Sequence, residues 1–110
     1  MAYEAKHRYA RISARKVRPL ADMIRGKRAD EALNILRFQP QRGARFLEKV
    51  LKSAVGNAED RRASDVANLV VVDAQVDGGP MFKRMRPRAR GMSFVIRKRT
   101  SHIRVQVDNV

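Results

Sequence analysis

Nine cations, Lys83, Arg84, Arg86, Arg88, Arg90, Arg97, Lys98, Arg99 and Arg104, fall between Gly78 and Arg104 with no carboxylate among them, because the acids stop at Asp77 and resume at Asp108. The chemistry such a run performs is phosphate binding. Seven of the nine are arginine, whose planar fork holds a phosphate bidentately or stacks on a base, as a lysine ammonium cannot. That favours structured RNA over a loose counterion role. Met81, Phe82, Met85, Met92, Phe94 and Val95 are interleaved with the cations. Two uses are open for them: stacking on bases and filling RNA crevices, or packing between the two sides of a hairpin. The stretch supplies +9 of the +14 net charge. Without partners it would repel itself, and it lacks the apolar density to fold as a separate core.

Two further basic clusters widen the footprint. Lys6, Arg8 and Arg11 lie on a first strand; Arg15, Lys16, Arg18, Arg25, Lys27 and Arg28 surround a first helix. Catalytic constellations are missing. His7 and His102 sit in different strands without carboxylates at metal spacing, and cysteine is absent, which excludes disulfides, thiolate metal sites and zinc fingers. A capping or phosphate-contacting role suits both histidines better. Serines 13, 53, 64, 93 and 101 lack a nucleophile-elbow setting, and Gly78-Gly79-Pro80 is no phosphate-cradling loop. The chain reads as a non-enzyme needing no cofactor or metal.

At 110 residues and 44 % apolar composition, one domain with one modest core is expected over 1–110, a body of 1–77 and 101–110 carrying an arm of 78–100. The charge and a pI near 11.5 make nucleic acid the leading partner class. An anionic membrane surface is the competitor, but no basic amphipathic helix stands apart from the core. No secretion signal opens the chain and the aliphatic run 69–72 is too short to span a bilayer, so a cytoplasmic location is expected.

The elements that must position these residues follow from periodicity. Residues 2–12 alternate as a half-buried strand, Tyr3, Ala5, His7 and Tyr9 on one side and Glu4, Lys6, Arg8 and Ala10 on the other. Ser13 offers an N-cap, and Val17, Leu20, Ala21 and Ile24 recur at helical spacing as far as Gly26. Pro19 predicts a tight first turn or a kink. A second helix is expected over 29–38, with Ala32, Leu33, Ile35 and Leu36 inward and Pro40 beyond its end. A third should run over 41–62 on the stripe Leu47, Val50, Leu51, Ala54, Val55 and Ala58; its Gly56 is either tolerated or lets another backbone approach. Residues 61–67 form a polar connection. Residues 69–77 then read as a strand with Val70, Val72, Ala74 and Val76 on one face, and Ile103, Val105 and Val107 mark its antiparallel partner.

Pairing Asp77 with Ser101 leaves 23 residues between, far beyond an ordinary hairpin loop of two to five. Continued as two strands, the connection would reach roughly 35 Å, against a radius of gyration of about 13 Å for such a domain. It reads as a protruding arm, its tip near Ala89 within Pro87-Arg88-Ala89-Arg90-Gly91.

At these residues the chain resembles the bacterial large-subunit ribosomal protein L-twenty-two family over nearly its full length. The resemblance rests on Ser13-Ala14-Arg15-Lys16-Val17-Arg18, Ile24-Arg25-Gly26-Lys27, Ala32-Leu33-Asn34-Ile35-Leu36, Lys52-Ser53-Ala54 and Asn57-Ala58-Glu59. The arm adds Gly79-Pro80, Lys83-Arg84, Pro87 to Gly91 and Lys98-Arg99-Thr100-Ser101-His102-Ile103. It implies an α+β fold: a three-stranded antiparallel sheet packed against three helices, with a long protruding basic β-hairpin. It implies a structural constituent of the large ribosomal subunit that binds ribosomal RNA, supports its assembly and lines the nascent-peptide exit tunnel. Arg88, Ala89 and Arg90 would be the tunnel tip, meeting nascent peptide. Lys83, Arg84, Arg86, Arg97, Lys98 and Arg99, with Thr100 and His102 at the base, would hold the shaft in RNA. Ser13, Arg15, Lys16 and Arg18 with Lys27 and Arg28 would anchor the body. Neighbouring large-subunit proteins are the expected protein partners, with no homo-oligomer. Gly91-Met92-Ser93-Phe94 departs from the family pattern, in which arginine and alanine commonly follow the glycine.

Read from the residues alone, an architectural DNA-binding protein with a basic β-arm remains the alternative, since such arms also enter a minor groove. Those proteins usually dimerise, and this body shows no long apolar face left over for a partner. An RNA-modifying enzyme stands third, for want of an acid/base pair.

Overall fold

Ile103, Val105 and Val107 point the same way along an extended chain, and a strand that alternates so regularly buries one face. In the computed structural model all three are buried, on the central strand of a three-stranded sheet. The structure describes residues 2–62 and 65–109. Ser64, part of the expected polar connection and of the expected domain, lies outside them. The strands are β1 (Tyr3–Ala10), β2 (Leu69–Pro87) and β3 (Ser93–Asn109), antiparallel in the order β1-β3-β2. Helices α1 (Ala14–Ile24), α2 (Ala29–Phe38) and α3 (Arg42–Asp60) pack on the sheet through Val17, Leu20, Leu36, Leu47 and Leu51. This is the expected α+β architecture.

Serine 13 occupies the N-cap of α1, although its hydroxyl makes no cap bond. The Lys16 N–H donates instead to the Ser13 carbonyl at 3.1 Å, a three-residue bond that tightens the first turn. The helix then runs through Pro19. Helix α2 has the expected bounds, with Asp30 and Glu31 in its first turn, where negative charge suits the dipole. In α3 the close approach is not at Gly56, where an added Cβ would meet nothing within 4 Å, but at Gly43. A Cβ there would lie 3.1 Å from Leu20 Cδ1 and 3.3 Å from Val17 Cγ2. Gly43 therefore lets the first turn of α3 rest directly on α1.

Two strand expectations are corrected by bulges. On β2 the inward residues are Leu69, Val71, Ala74 and Val76, while Val72 is 38 % exposed. The ladder steps from Val71↔Val107 to Asp73↔Gln106, so Val72 is an extra residue that reverses the facing of everything before it. On β1 the ladder jumps from His7↔Ile103 to Ala10↔Ser101. Tyr9 takes φ 58° and turns outward, and Ala10 is buried in its place.

Beyond the body β2 and β3 continue together as the arm. Pairing resumes after the Gly78↔Ser101 pair at Met81↔Arg99 and runs to Pro87↔Ser93. Asp77 lies opposite His102, one position from the expected register. The molecule measures 64 × 24 × 16 Å with a radius of gyration of 16.9 Å, where a compact chain of this length would have about 13 Å.

Candidate nucleic-acid interface

The arm is a two-stranded ladder whose directly opposed residues share a face. Phe82↔Lys98, Arg84↔Ile96 and Arg86↔Phe94 alternate with Met81↔Arg99, Lys83↔Arg97 and Met85↔Val95. Cations and apolar groups are thus mixed on both faces. Lys83, Arg84, Arg86, Arg88, Arg90, Arg97, Lys98 and Arg99 are all exposed, as are Phe82 and Phe94 at 52 % and 53 %. The rings do not lie bare, because the Arg84 guanidinium stands 5.8 Å from the Phe82 centroid and that of Arg88 5.4 Å from Phe94. Each aromatic is paired with a cation that is itself free to meet phosphate.

At the tip the Arg88 N–H donates to the Met92 carbonyl at 2.6 Å, closing a short 3-10 turn over Ala89–Gly91. Arg90 takes φ 62°, ψ 32°, a left-handed conformation that costs a non-glycine residue roughly 1–2 kcal/mol. Gly91 follows with φ 69°. The turn presents Arg88, Ala89 and Arg90 at the far end of the long axis.

The arm meets the body in a fitted joint. Thr100 is buried and its Oγ1 donates to the Pro80 carbonyl at 2.6 Å. Gly79 is required beside it, since a Cβ there would come 2.6 Å from Thr100 Oγ1. His102 accepts the Tyr9 backbone N–H on Nδ1 at 3.1 Å and meets the Tyr9 ring edge-on at 4.9 Å. Thr100 and His102, expected as RNA contacts, stand at the joint, where Thr100 Oγ1 and His102 Nδ1 are engaged within the chain.

The cluster expected around the first helix divides in two. Ser13, Arg15 and Lys16 stand at its N-terminal end with Arg11, facing the base of the arm across a groove of about 1180 Å³. The opposite wall is formed by Phe82, Arg84 and the segment Arg97 to Thr100. Arg25, Lys27 and Arg28 lie past the other end of α1, roughly 16 Å away at 1.5 Å per residue. There the backbone of residues 26–28 joins the edge of β2 through bonds from the Gly26 N–H to the Val71 carbonyl and from the Val71 N–H to the Lys27 carbonyl, both 2.8 Å. Arg25 bonds the Ala74 carbonyl and pairs with Asp22 at 2.7 Å, and Arg18 Nε donates to the Val76 carbonyl at 3.0 Å. Arg28 reaches the Ala67 carbonyl at 3.2 Å and Asp30 at 3.6 Å. Arg18 and Arg25 hold α1 to β2 and Arg28 ties the start of α2 to the turn at 66–68, while the side chain of Lys27 is exposed.

On the sheet face away from the core, Lys6 lies directly opposite Arg104, and Glu4 reaches both at 3.5 and 3.8 Å. A bond from Gln106, with help from Lys6, holds the Glu4 carboxyl below its ordinary value. Arg8 and Arg11 remain exposed. Glu48 does the same service on α3: Lys52, Arg45 and Arg37 surround it at 3.2, 2.8 and 3.7 Å, and the Lys52 hydrogen bond first among them lowers its carboxyl. Periodicity gave no hint of one part of the groove: Gln41 and Arg42 at the start of α3 line it beside Gly43. They adjoin Ser13 only because Gly43 permits that packing. Among the described residues no His, Asp and Glu cluster could hold a metal, and no helix is long and apolar enough to cross a membrane.

Residues 5–108, the body and the whole of the arm, match the family described as Ribosomal protein L22p/L17e. The chain belongs to the L22p/L17e family. Its relatives include the large ribosomal subunit protein uL22 of Rhodopirellula baltica, 59 % identical over 98 % of this chain and 95 % of that protein. The uL22 of Caldicellulosiruptor saccharolyticus is 59 % identical over 89 % of this chain and 80 % of its own length, and that of Geobacter sulfurreducens 53 % over 96 % and 95 %. The L22p/L17e family is structural and not enzymatic, and ribosomes are cytoplasmic particles in bacteria.

Proposed function

We propose that the protein is a cytoplasmic structural constituent of the large ribosomal subunit, holding ribosomal RNA with its arm and the basic end of its body. The observation that carries this is the arm itself: eight exposed cations on a projecting ladder, Lys83 to Arg99, with no acid among them. A ladder without a second apolar layer is costly to hold in isolation and well suited to lie between RNA helices, where its arginines meet phosphates on both faces. The relatives' shared name favours this reading over the DNA-binding one. Neighbouring large-subunit proteins complete the surroundings, and the chain acts as a single copy.

The tip residues Arg88, Ala89 and Arg90 are assigned to the wall of the nascent-peptide tunnel. The length of the molecule supports it, since a 64 Å axis lets a body at the subunit surface place its tip deep within the RNA. Filter binding of the purified chain to large-subunit ribosomal RNA and to random duplex at moderate salt tests the RNA part. Clear preference for the ribosomal RNA is expected; equal affinity for both would overturn it.

A further inference from the structure

Seven of the seventeen basic residues of the body, Lys6, Arg25, Arg28, Arg37, Arg45, Lys52 and Arg104, have carboxylate partners. The groove between arm and body is different. Arg11, Arg15, Lys16 and Arg42 line it from the body. Arg84, Arg97, Lys98 and Arg99 line it from the arm, and no acid appears in its walls. None of these eight is ion-paired among the described residues. Four cations on each wall of one cleft repel one another, and only a polyanion lying between them reverses that cost. The first turns of α1 and α3, which border the cleft, contain no acid and no side-chain cap, so nothing in the chain competes with a phosphate there.

Phe82 is the one aromatic in the lining, half exposed, with Arg84 over its ring. A duplex offers phosphates to such a groove but keeps its base faces stacked; only an unpaired base reaches a ring at the base of a cleft. We infer that this groove is a docking site for an unpaired, turned stretch of RNA, with one base stacked on Phe82 and the flanking phosphates gripped by Arg42 and Lys16 on one wall and by Arg84 and Lys98, which share the Phe82 face of the arm, on the other. The inference rests on the RNA-binding reading above and adds to it a strand type, a stacking platform and Arg42.

The chain contains no tryptophan, so Phe82→Trp installs a single fluorophore at the platform. In the full chain titrated with large-subunit ribosomal RNA, the indole emission is expected to fall by about half or more as a base stacks on it, and random duplex is expected to leave it unchanged. Phe82→Ala should weaken binding about tenfold, within the range for loss of one stacked base. Arg42→Ala should reduce the salt slope by about 1. Retained binding with unquenched emission, equal quenching by duplex, or undiminished affinity of Phe82→Ala would each overturn the groove assignment and leave the arm's RNA binding standing. Absence of any binding to ribosomal RNA would remove both.

Discussion

Replacing the eight arm cations Lys83, Arg84, Arg86, Arg88, Arg90, Arg97, Lys98 and Arg99 by glutamine removes the charge and keeps most of the side-chain length. Their contacts are local: Arg84 bonds the Lys83 carbonyl, and Arg84 and Arg88 stand over Phe82 and Phe94. None supports the buried core. Each neutralised phosphate contributes about 0.7 to the salt slope in single-stranded RNA and about 0.9 in a B-form duplex, so eight contacts account for a slope of roughly 6–7. Between 50 and 200 mM salt that corresponds to an affinity loss of about 10³–10⁵ in the parent chain, most of which the variant should no longer show. Filter binding to large-subunit ribosomal RNA across a salt series measures the slope, and thermal unfolding serves as the control. The expected result is a much flatter slope with the melting temperature of the body not lowered. An unchanged slope would refute the assignment of the grip to the arm, and a collapsed melting temperature would show that these cations serve the fold.

Other outcomes follow from packing and electrostatics. Gly43→Val should destabilise the chain by about 1–3 kcal/mol because the new side chain meets Leu20 and Val17, whereas Gly56→Ala, with open space around it, should stabilise it by about 0.5–1 kcal/mol; chemical denaturation checks both signs. The Glu48 carboxyl is held below its ordinary value of 4.5 chiefly by the Lys52 hydrogen bond, so its contribution is complete above pH 4.5 and is lost as pH falls through the lower folded value. Glu48→Gln should therefore flatten the acid limb of the stability profile measured by thermal unfolding. In the isolated protein the arm has no second layer to pack against, and the amides from Met85 to Phe94 should exchange with little protection while those of Ile103 to Val107 are strongly protected; slow exchange along the arm would contradict this.

The fold was legible wherever one local signal was unopposed. Helix α2 appeared with its bounds because Asp30 and Glu31 mark its start and Pro40 lies just past its end. The arm appeared because its charge and its flanking strands agreed. Val72 was not legible: Leu69 to Val72 is apolar at every position, so alternation carries no phase there, and only the pairing with β3 reveals the bulge. Tyr9 misled for the opposite reason, since the alternation continued through a residue that leaves the strand at positive φ. Neither the irregular joint after Gly78 nor the one-residue shift that sets Asp77 against His102 was legible, since both depend on the pairing with β3. In the interface, sequence identified the cations and not their partners. Arg18 and Arg25 hold β2, Arg28 bonds the turn before it, Thr100 Oγ1 and His102 Nδ1 serve the joint, and Arg42 enters the groove through a helix contact that spacing along the chain cannot show.

The position of the tip decides the tunnel assignment. A photo-crosslinker at position 89, incorporated into the full chain and assembled into large subunits engaged with nascent peptide, reports this directly. Crosslinks to nascent peptide and to large-subunit ribosomal RNA are the predicted result; crosslinks confined to surface proteins, or none to either, would contradict it.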